Sequence, residues 1–235
     1  MNAPEFRDWG KFAETGLYTV PLAARLVAAK PEKVRSWLES YPHSGAEPII
    51  HRQLPRVGGR AVLGFLDLIE ALFIRHFRAM GYSAQTIRKV AKKLRARHDI
   101  EHPFATNKRF RADGKSIFEE SVEDDGEKRL LNLMNDNFEI GPVVEPSLFD
   151  QIFYVEDVAR EWTPIPDRFP DVVVKPNVAF GRPVVRDVWI PTETLFQSAL
   201  IEGGVTEAAE EFGIAAKYVD QAVGFEKELD KRTVH

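Results

Sequence analysis

Two stretches of this chain carry a small residue where two short helices must cross, and that pattern limits the fold more than any other feature. In a helix-turn-helix numbered so that its fifth position is that small residue, positions four, eight, ten, fifteen and eighteen face inward. Counted from Ala24, these are Ala23, Val27, Ala29, Val34 and Trp37. Counted from Ala209, they are Ala208, Phe212, Ile214, Val219 and Ala222, with Gly213 at the turn, where a positive φ is often needed. The same spacing suits an ordinary helical hairpin, so context has to separate the two.

Charge supplies that context. Met1 to Phe118 holds 21 Lys/Arg against 11 Asp/Glu, a net of +10, and Glu119 to His235 holds 11 against 25, a net of −14. The overall pI of about 5.9 conceals this split. A basic half favours polyanions, because each cation placed on a phosphate releases counterions; an acidic half suits a basic protein partner. The second helix of the first candidate carries Lys30, Lys33 and Arg35, and the segment after it carries Arg52, Arg56 and Arg60. That is the layout of a recognition helix in the major groove with basic residues on flanking phosphates. The second candidate carries Glu207, Glu210, Glu211, Asp220, Glu226, Glu228 and Asp230 against Lys217, Lys227, Lys231 and Arg232, so it reads as a protein-binding or dimerisation module.

Periodicity and breakers fill in the rest. Pro31 marks a helix start, and Pro42 to Arg60 suggests a hairpin or wing. Phe65 to Met80 follows a 3.6 period that Gly81 stops, and Ser83 caps a helix to about His98. A hairpin turning at Asp113-Gly114 is expected over Phe104 to Glu120, and a short helix around Glu127 to Asn135. A Pro-interrupted stretch with one strand at Phe149–Val155 follows, then Val172–Lys175 as a strand and a Gly181-Arg182-Pro183 turn. Three helices are expected at about Thr192–Ile201, Val205–Phe212 and Ala216–Lys231. The expected fold is therefore mainly α with small β elements. It divides into a basic unit (1–100), a mixed α/β middle segment (101–171) and a C-terminal β-turn plus trihelical, homeodomain-like unit (172–235).

Several function classes find no foothold. Zero cysteines exclude disulfides, thiol catalysis and Cys-based zinc sites. No apolar run approaches the roughly 20 residues of a membrane helix, and the opening residues lack the n- and h-regions of a signal peptide, so a cytoplasmic protein is expected. There is no Gly-rich phosphate loop, no nucleophile elbow and no His with an obvious orienting carboxylate; neither an enzyme nor a cofactor is expected.

Two resemblances sharpen this reading. Thr19-Val-Pro-Leu-Ala-Ala-Arg-Leu-Val, Val34-Arg-Ser-Trp-Leu and Arg56-Val-Gly-Gly-Arg60 resemble the winged helix of MerR-type regulators. Phe65-Leu-Asp-Leu-Ile-Glu and Met80-Gly-Tyr-Ser-Ala-Gln-Thr-Ile-Arg extend that match to about His98, without the regulators' sensor cysteines or long dimerisation helix. Phe180-Gly-Arg-Pro-Val-Val-Arg-Asp-Val-Trp-Ile-Pro-Thr, Gly203-Gly-Val-Thr-Glu-Ala-Ala-Glu-Glu-Phe-Gly and Val219-Asp-Gln-Ala-Val-Gly-Phe-Glu resemble the small domain of prokaryotic antitoxins paired with PIN-domain toxins. Together they look like a long, DNA-binding VapB-type antitoxin. The resemblance implies a homodimer, a double-stranded operator DNA and a VapC-like ribonuclease toxin as partner. The alternative is a stand-alone transcriptional regulator answering a small ligand in the middle segment.

Candidate contacts follow. DNA would meet Lys30, Lys33, Arg35, Arg52, Arg56 and Arg60. Arg182 and Arg186 are cations in an acidic unit and could compete in bidentate fashion for the Mg²⁺-holding carboxylates of a PIN ribonuclease. A local salt bridge to Asp187 or Glu193 is the plainer alternative. Trp189, where many relatives carry a basic residue, completes the candidate toxin contact. Arg88, Lys89, Lys92, Lys93, Arg95 and Arg97 form a basic helix face, either solvated or touching DNA backbone. His98 and His102 have the spacing of a metal pair, but Pro103 spoils the helix that would align them, and the acidic run from Glu119 to Asp125 reads as a solvated linker.

Overall fold

The computed structural model describes residues 9–40, 47–106, 148 and 150–232. The hairpin expected at Asp113-Gly114, the helix at Glu127 to Asn135 and the acidic run from Glu119 fall outside them. The fold is mainly α with small antiparallel β elements.

A short helix α1 (Trp9–Thr15) leads through Gly16 into strand β1 (Tyr18–Thr19). Thr19 then caps α2 (Val20–Leu26), its hydroxyl accepting from the Leu22 amide at 3.3 Å. Val27 ends that helix, Ala28 takes a positive φ of 53°, and the Ala29 amide returns to the Ala24 carbonyl at 2.9 Å. Pro31 opens α3 (Pro31–Leu38), where its missing N–H costs no hydrogen bond. Ala23, Ala24, Val27, Val34 and Trp37 are buried between the pair, and Ala29 is partly so. The Trp37 carbonyl accepts from the Ile50 amide at 2.9 Å and fastens the following segment.

Strand β2 (Val62–Leu63) pairs with β1 through Tyr18↔Leu63 and Thr19↔Val62. Helix α4 (Phe65–Ala79) is buried around most of its circumference, which places it at the centre of the core. Helix α5 (Ala84–His98) starts at Ser83, whose hydroxyl accepts from the Thr86 amide at 3.0 Å, and stops at Asp99 in the left-handed region. A 3₁₀ turn (Pro103–Ala105) lays Phe104 edge-on against Phe77, ring centroids 5.3 Å apart.

The middle segment holds one strand more than expected. Strands β3 (Ile152–Val155) and β4 (Val158–Trp162) form an antiparallel hairpin. Its turn is Glu156-Asp157, with φ of 49° and 70°, the sign pattern of a type I′ turn carried by two acids in place of Asn-Gly. Reciprocal bonds between Trp162 and Val174, at 3.0 and 2.8 Å, lead to a three-stranded sheet of β5 (Val172–Val173), β6 (Val184–Val185) and β7 (Ile190–Pro191). The strand expected over Val172–Lys175 is shorter in the structure, with Val174 in the isolated bridge to Trp162.

Helices α6 (Thr192–Glu202), α7 (Val205–Phe212) and α8 (Ala216–Lys231) follow, with Gly203 and Gly213 as left-handed stops. Ala208, Val219 and Ala222 are buried as the spacing predicts. Phe212 is not: it is 36% exposed at the last position of α7, where the chain turns away before α8 can cover it. Phe225 packs edge-on against Phe169 at 6.0 Å. One continuous hydrophobic cluster runs from Tyr18 in the basic half to Leu229 in the acidic half.

Candidate nucleic-acid and partner interfaces

The geometry of α3 follows from its burial pattern. Val34, Trp37 and Leu38 turn into the core, which leaves Lys30, Lys33 and Arg35 exposed with Glu32. None of the three cations makes an ion pair among the described residues. Beyond α3, Val57 and Arg60 exchange both backbone hydrogen bonds at 3.0 Å across Gly58-Gly59. Both glycines have positive φ, 55° and 76°, which is what so tight a turn requires. Among the described residues of the 42–60 span this closed turn and its Val57–Arg60 bridge are all the β structure, while the next strand pairs with β1 instead.

The three arginines around that turn separate. Arg60 is exposed and makes no ion pair among the described residues. Arg56 reaches Glu39 at 3.1 Å and donates to the Gly59 carbonyl at 3.3 Å, so it fastens the turn to the end of α3. Arg52 is half-buried, with its Nη1 buried and without an acceptor.

The basic face of α5 holds the protein together. Arg88 donates to the Glu47 carbonyl at 2.7 Å, and Arg95 to the carbonyls of Ile49 at 2.6 Å and Glu101 at 2.8 Å. These bonds pin the 47–49 segment across the helix.

Beneath α5 lies a cluster that sequence reasoning missed. Asp67 and Glu70 on α4 are fully buried. The Asp67 carboxylate accepts from the amides of Gln53 at 3.0 Å and Gly64 at 2.8 Å. His102 Nδ1 lies 3.4 Å from Glu70 and 3.6 Å from Asp67, and Arg95 stands 3.8 Å from Glu70. Burial pushes the Asp67 carboxyl up to about 7 against the opposing charge of His102 and the amide bonds. For His102, burial lowers the pKa, but the hydrogen bond and charge of Glu70 outweigh it and leave the pKa raised. The readable signal was two acids three residues apart on the apolar face of a helix. No group of three metal-ligating side chains is placed to hold an ion among the described residues, and His102 is engaged with Asp67 and Glu70.

In the acidic half, the loop before β6 is built on the basic half. The Leu17 amide donates to the Phe180 carbonyl at 2.9 Å, and Gly181, at φ 81°, sits directly over the buried Tyr18 ring. Ala179, Phe180, Asp187 and Trp189 also take positive φ, a concentration of backbone strain in one short stretch. Phe180 and Trp189 are both largely exposed, and Lys175 Nζ lies 5.3 Å from the Trp189 ring centre.

The two candidate arginines differ. Arg186 is held by Glu161 at 2.6 Å, a partner on β4 that replaces the expected Asp187 or Glu193; Asp187 instead accepts from the Tyr218 hydroxyl at 3.1 Å. Arg182 reaches Glu193 only at 4.0 Å. The structure thus gathers Arg186 and Trp189 with Lys175 and Glu161, and leaves Arg182 more loosely held.

No helix among the described residues is long and apolar enough to cross a membrane. No protein-family model and no curated protein matches the sequence. Among solved structures, the chain is similar to Rv2018 from Mycobacterium tuberculosis, with a TM-score of 0.64 and 19% identity over 88% of this chain and 96% of that one. That similarity concerns the fold.

Proposed function

We propose that this chain is a DNA-binding antitoxin, with α3 as the recognition helix of a MerR-like winged helix and the C-terminal homeodomain-like unit as the surface that neutralises a PIN-domain ribonuclease. The observation that carries it is the face of α3. Its apolar side is consumed by the core, and Lys30, Lys33 and Arg35 are left unpaired and exposed beside the Arg60 turn. Such a surface gains from phosphate contacts and has no carboxylate partner to lose. The antitoxin part rests on the resemblance of 180–226 to antitoxins paired with PIN toxins. The acidic surface of that unit disfavours nucleic acid and favours a basic protein. As a homodimer the protein would present two recognition helices to a palindromic operator and act as an autorepressor.

The experiment is binding of the full chain to duplex DNA from upstream of its own gene. Lys33→Ala with Arg35→Ala should weaken binding at least tenfold, about 1.4 kcal/mol. Unchanged affinity would overturn the assignment of α3.

A further inference from the structure

Strand β3 is the edge of its sheet. Among the described residues it pairs only with β4, and its far side meets no other strand. The hydrogen bonds of the hairpin fix which backbone groups face that side. The Thr163 amide donates to the Gln151 carbonyl at 2.9 Å, while the N–H and C=O of Trp162 are both engaged by Val174. Ile152, opposite Trp162, therefore directs its own N–H and C=O away from β4, and Tyr154, two residues on, does the same. The side chains alternate between the two faces of the sheet. Ile152 is buried and Tyr154 partly so, whereas Phe153 and Val155 stand on the outer face, 63% and 43% exposed.

Edges of this kind are usually blunted by a charge, a proline or a bulge, because a bare row of backbone groups recruits another strand. Ile152-Phe153-Tyr154-Val155 has no charge and no proline, and its residues all favour strands. The one irregularity of the hairpin lies on the β4 side, where Arg160 has no residue opposite it. The nearest charges in sequence, Asp150, Glu156 and Asp157, bracket the strand and leave its middle neutral. Leu200 and Ile201, the other adjacent pair of exposed apolar residues, lie on α6, whose backbone groups are already bonded within the helix.

We propose that β3 is a homodimerisation edge, through which two copies pair antiparallel about a two-fold axis at Tyr154 into a four-stranded β4-β3-β3-β4 sheet. In that register the outward N–H and C=O of Tyr154 bond reciprocally across the axis. Each Phe153 then lies against Val155 of the partner subunit on one shared face. A second copy fits because the edge calls for a strand, and this chain supplies an uncharged one whose faces and bonding groups match themselves. The contact is short, so the dimer is weak, with Kd on the order of 1–100 µM. It is the homodimer that the proposed function calls for at a two-fold operator, and to that extent it rests on that reading.

The test is sedimentation velocity of the full chain over a range of about 1–200 µM, where a concentration-dependent monomer–dimer equilibrium is expected. Phe153→Lys and Val155→Lys each place a charge at an exposed position, so both should keep the far-ultraviolet spectrum of wild type and weaken dimerisation by about tenfold or more. Phe153→Tyr should keep the dimer, and Leu200→Lys should leave it unchanged. Amide exchange gives a second reading. The Ile152 and Tyr154 amides should exchange more slowly as the dimer fills, and Phe153→Lys should abolish that protection. A dimer that survives both lysine variants, or that forms without protecting these two amides, is made elsewhere; it overturns β3 as the surface and spares the homodimer. A chain that stays monomeric throughout and still binds its operator overturns the dimer and spares the DNA reading, leaving the edge to a strand of another protein.

Discussion

Arg25 of α2 and Asp230 of α8 form an ion pair at 2.7 Å across 205 residues of sequence, and the same guanidinium donates to the Leu229 carbonyl at 3.4 Å. The pair joins the helix that supports α3 to the last helix of the acidic half. Arg232 repeats the connection in the other direction through the Leu26 carbonyl. Between these polar ties the core is continuous, so the electrical split of the sequence is a division of the surface only.

The intact chain should therefore unfold in one cooperative transition. Denaturant melts followed by tryptophan fluorescence and by far-ultraviolet circular dichroism should coincide. Arg25→Ala should cost no more than about 1 kcal/mol, because Asp230 is mostly exposed and screened by water. Two separated transitions would mean that the halves fold independently.

Stability should fall as pH rises through neutrality. The Asp67 carboxyl and His102 both have folded-state pKa values above their unfolded ones, Asp67 reaching about 7. Each therefore contributes stability that is fully present below its unfolded pKa and is lost as pH rises through its folded one. Between pH 5.5 and 8 the loss should be on the order of 2 kcal/mol. Asp67→Asn keeps an acceptor for the Gly64 amide and should flatten the slope. A melting temperature that climbs over this range would contradict the cluster's assignment.

Gly181→Ala should destabilise the fold by about 2–4 kcal/mol. A Cβ there would fall 2.2 Å from the Tyr18 hydroxyl and 3.1 Å from the Gly16 backbone, at a φ of 81° that side chains resist. Chemical denaturation gives the number. A neutral effect would mean that the Tyr18 contact yields easily.

If the chain neutralises a PIN-domain ribonuclease as proposed, the two arginines should contribute unequally. Arg182 is held only by Glu193 at 4.0 Å and the Ala179 carbonyl at 3.4 Å, whereas Arg186 is paired with Glu161 at 2.6 Å. Arg182→Ala should weaken inhibition at least tenfold, and more so as Mg²⁺ rises, while Arg186→Ala should inhibit nearly as wild type. Equal inhibition by wild type and Arg182→Ala at every Mg²⁺ concentration would place inhibition elsewhere.

Local chemistry made the helices legible. Pro31 and Ser83 mark helix starts, Gly213 marks a turn, and the small residues at Ala24 and Ala209 mark the crossings. The β3–β4 hairpin was illegible because Glu156-Asp157 adopts a turn usually signalled by Asn-Gly. Partners distant in sequence were equally hidden. Nothing near Arg186 points to Glu161, and nothing near Arg88 or Arg95 points to the carbonyls at 47 and 49. Arg56 shows the same limit, since its pairing with Glu39 appears only when the turn folds back on α3.

The face proposed to bind DNA is that of α3. That role is tested by the salt dependence of the full chain's affinity for its own upstream duplex, measured by fluorescence anisotropy. With about 4–6 phosphates contacted per protomer, log K should fall against log salt with a slope of about −4 to −5. Replacing Lys33 and Arg35 together by Ala should make that slope shallower by about 2. A flat salt response, or a slope unchanged by the double substitution, would contradict the account.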